Sequence, residues 1–150
     1  MPVIVVGADT SQGEEIVSSL ASNAGEVRAF ITNPDRAEAL RKQGCKVAIG
    51  DVSDASHIEI AAFECFTAVM VSAAASDDRE RSFAADPEAV AGEWMEAISD
   101  AGIHRLIWIG SGPLPEPPDE QVCPEVVTLS GSRPGFAQEV ARLNELETLG

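Results

Sequence analysis

The chain has 150 residues, 45% of them hydrophobic, with a mean hydropathy of +0.03. That suits one globular domain with a sizeable core and excludes a disordered chain. A formal net charge of −15 repels nucleic acid and anionic membrane surfaces, so neither is an expected partner. No apolar run approaches the ~18–20 residues that span a bilayer. The N-terminus opens on strand-like residues, with no basic segment and no cleavage site, so no signal peptide is expected and the cytoplasm is the default location.

The first expected strand is Val3 to Val6, four β-branched residues that run directly into Gly7-Ala8-Asp9-Thr10-Ser11-Gln12-Gly13. A helix follows from Ser11 or Gln12 to about Asn23, with Ile16, Val17, Leu20 and Ala21 on one face. Glu14 and Glu15 stand in its first turn, where the helix dipole favours acids but where they would crowd a phosphate unless turned outward. The second strand is Val27 to Ile31. After it, Asn33 caps and Pro34 starts a second helix that continues through Ala37, Leu40 and Arg41 to Gln43-Gly44.

Cys45 to Ile49 reads as a third strand, and Ser53 or Asp54 as the cap of a third helix with Ile58 and Ala61 or Ala62 inward. The fourth strand, Ala68 to Ser72, ends in the small residues Ala73-Ala74-Ala75-Ser76, and a charged, solvated stretch follows from Asp77 to Arg81. Pro87 fits the first turn of a long helix through Val90, Trp94, Ile98 and Ala101, and His104 to Ile109 forms a fifth strand before Gly110-Ser111-Gly112. Pro113 to Pro118 holds four of the 9 prolines and is an extended loop. Val126 to Leu129 is a candidate sixth strand. Ser132 or Pro134 then begins a last helix through Val140, Leu143 and Leu146 to Gly150, whose Phe136, Val140 and Leu143 face a core or a dimer partner. This sustained strand–helix alternation implies an α/β, three-layer Rossmann-like fold: an open parallel sheet of five or six strands with helices on both faces.

The 3 cysteines, Cys45, Cys65 and Cys123, lie far apart and with His57 and His104 show no metal-ligand spacing, so no metal site is expected. The chemistry concentrates in the first turn. In a dinucleotide fold the outer glycines make the tight turn and let the helix pack on the strand, and a middle glycine lets the phosphate approach the backbone. Gly7 and Gly13 fill the outer roles, while Thr10 holds the middle place. Its side chain either obstructs the phosphate or, with Ser11, donates a hydroxyl to it. On the steric reading, Thr10→Gly tightens binding.

Together these residues resemble the atypical short-chain dehydrogenase/reductase superfamily, in particular its NmrA-like branch, over about residues 2–112. That family opens with Gly-Ala-(Thr/Ser)-Gly-x-x-Gly, here Gly7-Ala8-Asp9-Thr10-Ser11-Gln12-Gly13. Gly50-Asp51-Val52-Ser53-Asp54 is similar to its Gly-Asp-(Leu/Val)-x-Asp signature, in which the first aspartate lies against the adenine. Arg133-Pro134-Gly135-Phe136 is similar to the segment after its sixth strand. The resemblance implies NAD(P) binding by Gly7, Ala8, Thr10, Ser11, Gln12, Gly13, Thr32, Asn33, Arg36, Asp51, Val52, Ala73 and Ala74. Cofactor choice is made after the second strand, where an acid reads the NAD ribose and an arginine accepts the NADP phosphate. Thr32 stands where the family often has arginine, and Arg36 is the nearby cation. On Arg36 the expectation is NADP over NAD.

The wider superfamily transfers its proton with a tyrosine and a lysine four residues later. This chain has 0 tyrosines, and Lys42 and Lys46 flank the third strand's start, so that mechanism is excluded. Ser111 stands where the family's active-site serine often lies; its plain reading is a loop serine. The resemblance also implies a longer substrate-binding segment after the fifth strand than residues 113–150 supply, so that portion is expected to be reduced or absent. Three readings stay open: an atypical reductase acting on an unidentified small molecule, a dinucleotide-sensing or regulatory protein without turnover, and a degenerate fold that no longer binds cofactor. A homodimer through the last helix or the helix of Trp94 is a further expectation.

Overall fold

A computed structural model describes residues 2–21, 25–76, 87–110 and 122–149. Six strands, β1 (Val3–Val6), β2 (Val27–Ile31), β3 (Lys46–Ile49), β4 (Thr67–Val71), β5 (Arg105–Gly110) and β6 (Glu125–Ser130), form one sheet in the order β3-β2-β1-β4-β5-β6. Every pairing is parallel, with Val3 opposite both Val27 and Thr67 and Ile109 opposite Leu129. The strand order reverses between β1 and β4, which is where α/β sheets open a ligand crevice at the carboxyl ends of their strands. The α/β fold class and the sixth strand are as the sequence predicts.

Among the described residues five helices cover the sheet: α1 (Ser11–Ala21), α2 (Ala37–Lys42), α3 (Ala55–Ala61), α4 (Pro87–Ala101) and α5 (Phe136–Glu145). Strand side chains alternate between the faces, so each inner strand is apolar on both. Val3, Val5, Val69, Val71, Ile107 and Ile109 meet Ile16, Val17 and Leu20 of α1, Leu40 of α2, and Phe136, Val140 and Leu143 of α5. Ile4, Val6, Met70, Leu106 and Trp108 meet Ile58 of α3 and Val90, Trp94 and Ile98 of α4. Trp94 is fully buried, stands edge-on to Trp108, and donates its Nε1–H to Val52 O at 2.8 Å. Phe136, Val140 and Leu143 of α5 thus belong to the domain's own core, one of the two readings left open for that face.

Several strand boundaries shift by a residue, the second helix opens with a 3₁₀ turn at Pro34–Arg36, and three further differences have a structural cause. Helix α5 begins at Phe136 instead of Ser132 or Pro134, because Gly135 adopts a left-handed conformation (φ 82°) and ends a turn that starts at Ser130. It stops at Glu145 instead of Gly150. Here the fully buried Arg105 accounts for the stop: its guanidinium donates to Leu143 O at 2.6 Å and Glu147 O at 3.2 Å, while Leu149 N–H donates to Glu125 at 2.6 Å. These contacts draw the chain off the helical path. Ser72 leaves β4 for a 3₁₀ turn, Ser72–Ser76, where its hydroxyl donates to Ile109 O at 2.7 Å. The end of the first helix at Asn23, the stretch Asp77–Arg81, Ser111 and the loop Pro113–Pro118 lie outside the described residues. Among the described residues no helix is long and apolar enough to cross a membrane.

Candidate dinucleotide site

Strand β1 ends at Val6, and Gly7 turns the chain with φ +92°. A Cβ there would lie 2.8 Å from Ala74 Cβ, because the 3₁₀ turn after β4 leans on the glycine turn. At Gly13 the constraint is absolute. An added Cβ would sit 2.0 Å from Gly7 O and 2.8 Å from Ala8 Cα, so only glycine lets the first turn of α1 approach β1 this closely. The outer glycines therefore do what their spacing predicts. Helix α1 starts directly over the strand end, and the N–H groups of its first turn precede any intrahelical acceptor.

Thr10 neither obstructs the turn nor presents its hydroxyl outward. Its Oγ1 donates to Gly7 O at 2.6 Å and accepts from Gly13 N–H at 3.0 Å. The side chain is the N-cap of α1 and staples the loop shut. Ser11 is exposed beside it, while Gln12 turns toward Gly131 after β6, where a Cβ would lie 2.4 Å from its Nε2. Gln12 Oε1 is buried and has no partner among the described residues. The side chain of Ala8 is buried in the core and its N–H donates to Phe30 O at 3.3 Å, so both face the domain.

At the end of β2 the decisive group is Asp9, which the sequence alone does not single out. Its Oδ2 accepts from Thr32 N–H at 3.1 Å and Asn33 N–H at 3.0 Å, which ties the glycine loop to the end of β2. Asn33 caps the 3₁₀ turn Pro34–Arg36, accepting from Asp35 N–H at 3.0 Å. Arg36 forms an ion pair with Glu14 of α1. Glu14 thus holds the cation on which the NADP expectation rests.

After β3, Asp51 is buried and its Oδ1 accepts from Ser53 N–H at 2.8 Å and Ser53 Oγ–H at 2.6 Å. Its own N–H donates to His57 Nδ1 at 3.1 Å. Val52 is buried behind it, and Gly50 packs under Phe30 and His57, where a Cβ would meet both within 3.1 Å. Ala73 and Ala74 follow β4, Ala74 against Gly7. All the described candidates therefore gather at the carboxyl ends of β1 to β4. Ser111 lies outside the described residues. A cavity of about 450 Å³ lies at the same edge beyond β6, lined by Leu129, Arg133 and Phe136 among others.

The cysteines are core residues, all buried and unpaired. Burial raises each thiol's pKa, that of Cys65 to about 11. No group of histidine, cysteine and carboxylate side chains among the described residues is arranged to hold a metal.

A glycine turn at the switch point of a 3-2-1-4-5-6 parallel sheet, followed by a helix that admits only glycine at its third residue, defines a dinucleotide-binding domain. A family model described as NAD(P)H-binding matches residues 7–129. The chain belongs to this NAD(P)H-binding family. No curated protein matches the sequence. Among solved structures, the NADPH-dependent quinone oxidoreductase of Escherichia coli in complex with NADPH superposes with TM-score 0.60 at 20% identity, covering 72% of this chain and 36% of that one. The triphenylmethane reductase of Citrobacter sp. complexed with NADP(H) gives TM-score 0.61 at 20% identity, covering 74% and 38%. ChuY, an anaerobillin reductase from Escherichia coli O157:H7, gives 0.57 at 23% identity, covering 74% and 51%. The chain thus spans about a third to a half of the length of these proteins.

Proposed function

We propose that the chain is one NAD(P)-binding domain of a reductase-type protein, holding the cofactor's pyrophosphate over the glycine turn and the N-terminus of α1. The observation that carries this reading is the packing at Gly13, where a Cβ would lie 2.0 Å from Gly7 O. Such an approach of helix to strand end sets the first-turn N–H groups where a phosphate is received. Ser11 and the backbone of Gln12 would hold the pyrophosphate, Thr32 and Asn33 would border the adenosine ribose, and Asp51 and Val52 would border the adenine. Ala73 and Ala74 would line the path toward the nicotinamide.

When bound, the nicotinamide supplies hydride chemistry. What this chain's residues contribute is binding and orientation, since the tyrosine-dependent proton transfer of the wider superfamily has no tyrosine to use. That absence also supports a second reading, a dinucleotide sensor without turnover. The preference for NADP over NAD was expected on Arg36, and solved relatives carry NADPH; in this chain Arg36 already pairs with Glu14.

Titration of NADH and NADPH into the purified protein, read by calorimetry and by melting temperature, tests the proposal. Micromolar binding of either supports it, and absence of binding up to millimolar concentration rejects it in favour of a fold that has lost its ligand. If binding is found, oxidation of the bound cofactor by quinones or flavins separates a reductase from a sensor.

A further inference from the structure

The end of β2 in this chain carries an acid that comes from the glycine loop. In dinucleotide folds the end of the second strand chooses the cofactor: a carboxylate there hydrogen-bonds the ribose hydroxyls of NAD, and a cation there accepts the 2′-phosphate of NADP. Neither Thr32 nor Asn33 supplies a charge. Asp9 does, from the preceding loop, with Oδ2 on two consecutive N–H groups, Thr32 at 3.1 Å and Asn33 at 3.0 Å. Consecutive backbone N–H groups that converge on one oxygen are an anion-binding arrangement. In this chain a tethered carboxylate fills it. Arg36, the cation of the turn that follows Asn33, is held by Glu14.

We infer that Asp9 is the specificity-determining residue of the site and selects NAD(H) against NADP(H), an inference that rests on the dinucleotide-binding reading above. A 2′-phosphate brought to the end of β2 meets the Asp9 carboxylate on the donors it would need, and Glu14 on the cation it would need. The ribose hydroxyls of NAD are neutral, and a hydroxyl donates to a carboxylate. Like charges brought together cost enough to give a preference of about tenfold to a hundredfold for NADH over NADPH.

The test is a set of dissociation constants for NADH and NADPH, and for the fragments 5′-ADP and 2′,5′-ADP, by calorimetry at fixed ionic strength. Wild-type protein is expected to bind NADH and 5′-ADP more tightly than their 2′-phosphorylated counterparts. Asp9→Asn keeps an oxygen for the two N–H groups and removes the charge; it is expected to narrow the preference about tenfold, chiefly by improved NADPH binding. Glu14→Gln releases Arg36 and is expected to shift the ratio in the same direction. A wild type that binds NADPH as tightly as NADH or tighter overturns the inference while leaving dinucleotide binding intact. So does an unchanged ratio in a folded Asp9→Asn variant. If the folded wild type and Asp9→Asn bind none of the four nucleotides, the dinucleotide reading itself fails and the inference fails with it. The wild-type ratio needs no variant, so the test survives misfolding of either substitution.

Discussion

Removing the Thr10 hydroxyl separates two accounts of the one residue that departs from the glycine pattern of the first turn. On the steric account it is an intruder. In the structure Oγ1 closes two hydrogen bonds, to Gly7 O at 2.6 Å and from Gly13 N–H at 3.0 Å, and so caps α1. Loss of such a cap costs about 1–2 kcal/mol. For a domain of this size each kcal/mol is worth about 2–4 °C in melting temperature, so Thr10→Val, which keeps the shape and loses both bonds, is expected to melt about 3–6 °C below wild type. Thr10→Ser keeps the hydroxyl and is expected to melt within about 1–2 °C of wild type. Thr10→Gly is expected to lose stability like Thr10→Val yet bind dinucleotide more tightly, because Gly13 N–H is released to the ligand. Thermal and urea unfolding followed by circular dichroism, with nucleotide titration alongside, reads all three. A Thr10→Val variant as stable as wild type would refute the capping argument.

Two glycines give opposite signs. Gly13→Ala is expected to yield little folded protein, as its Cβ would overlap Gly7 O, whereas Gly92→Ala, in the middle of α4 with nothing within 4 Å, gains about 1 kcal/mol of helix propensity and melts higher; soluble yield and melting curves decide both. Arg105→Met removes the partner of the largely buried Glu125 and three further contacts, including the Phe66 ring at 5.1 Å, and is expected to lose about 3–5 kcal/mol in urea unfolding. The Leu149 N–H bond, with Arg105 beside it, holds the Glu125 carboxyl below its ordinary 4.5. Its stabilisation is therefore full above that value and is lost as pH falls through the lower folded value, so the wild-type advantage over Glu125→Gln should shrink on acidification below pH 4.5. The buried thiols, with Cys65 raised to about 11, should resist a disulfide reagent at pH 8 in native protein and react when it is unfolded; rapid native labelling would contradict their burial.

The sheet was legible because its signal is local. Val3 to Val6 and Leu106 to Ile109 are continuous apolar runs, and only a strand buried on both faces accommodates such residues at that length. Gly7 and Gly13 were legible for a related reason: the turn they make is a property of adjacent backbone. What escaped depends on contacts between residues far apart. Asp9 could be seen to replace a threonine or serine of the family pattern, but its destination, N–H groups 23 and 24 residues on, is a tertiary fact. The pairing of Arg36 with Glu14 spans 22 residues. The end of α5 was missed because the helix pattern continues through Leu146, and what stops it is Arg105, a buried residue of β5. Thr10 was seen but misjudged, since a hydroxyl that looks outward in a motif turns inward when the helix above it needs a cap.

These contacts set the terms on which a chain of net charge −15 would take an anionic cofactor. The donors suited to phosphate or ribose are already matched by the chain's own acceptors: Gly13 N–H by Thr10, Thr32 and Asn33 N–H by Asp9, and the Arg36 guanidinium by Glu14. Such matching satisfies backbone groups that the acidic surface would otherwise leave to water, and each bond adds about 0.5–1.5 kcal/mol to the unliganded fold. A ligand that takes one of these donors must replace the internal bond, so its net gain is the difference between the two. Stability and affinity therefore draw on the same N–H groups. Substitutions at Thr10 that open a donor should tighten nucleotide binding, and those at Asp9 should tighten binding of 2′-phosphorylated nucleotides alone, each lowering the melting temperature of the free protein, whereas substitutions in the core should lower stability without improving affinity.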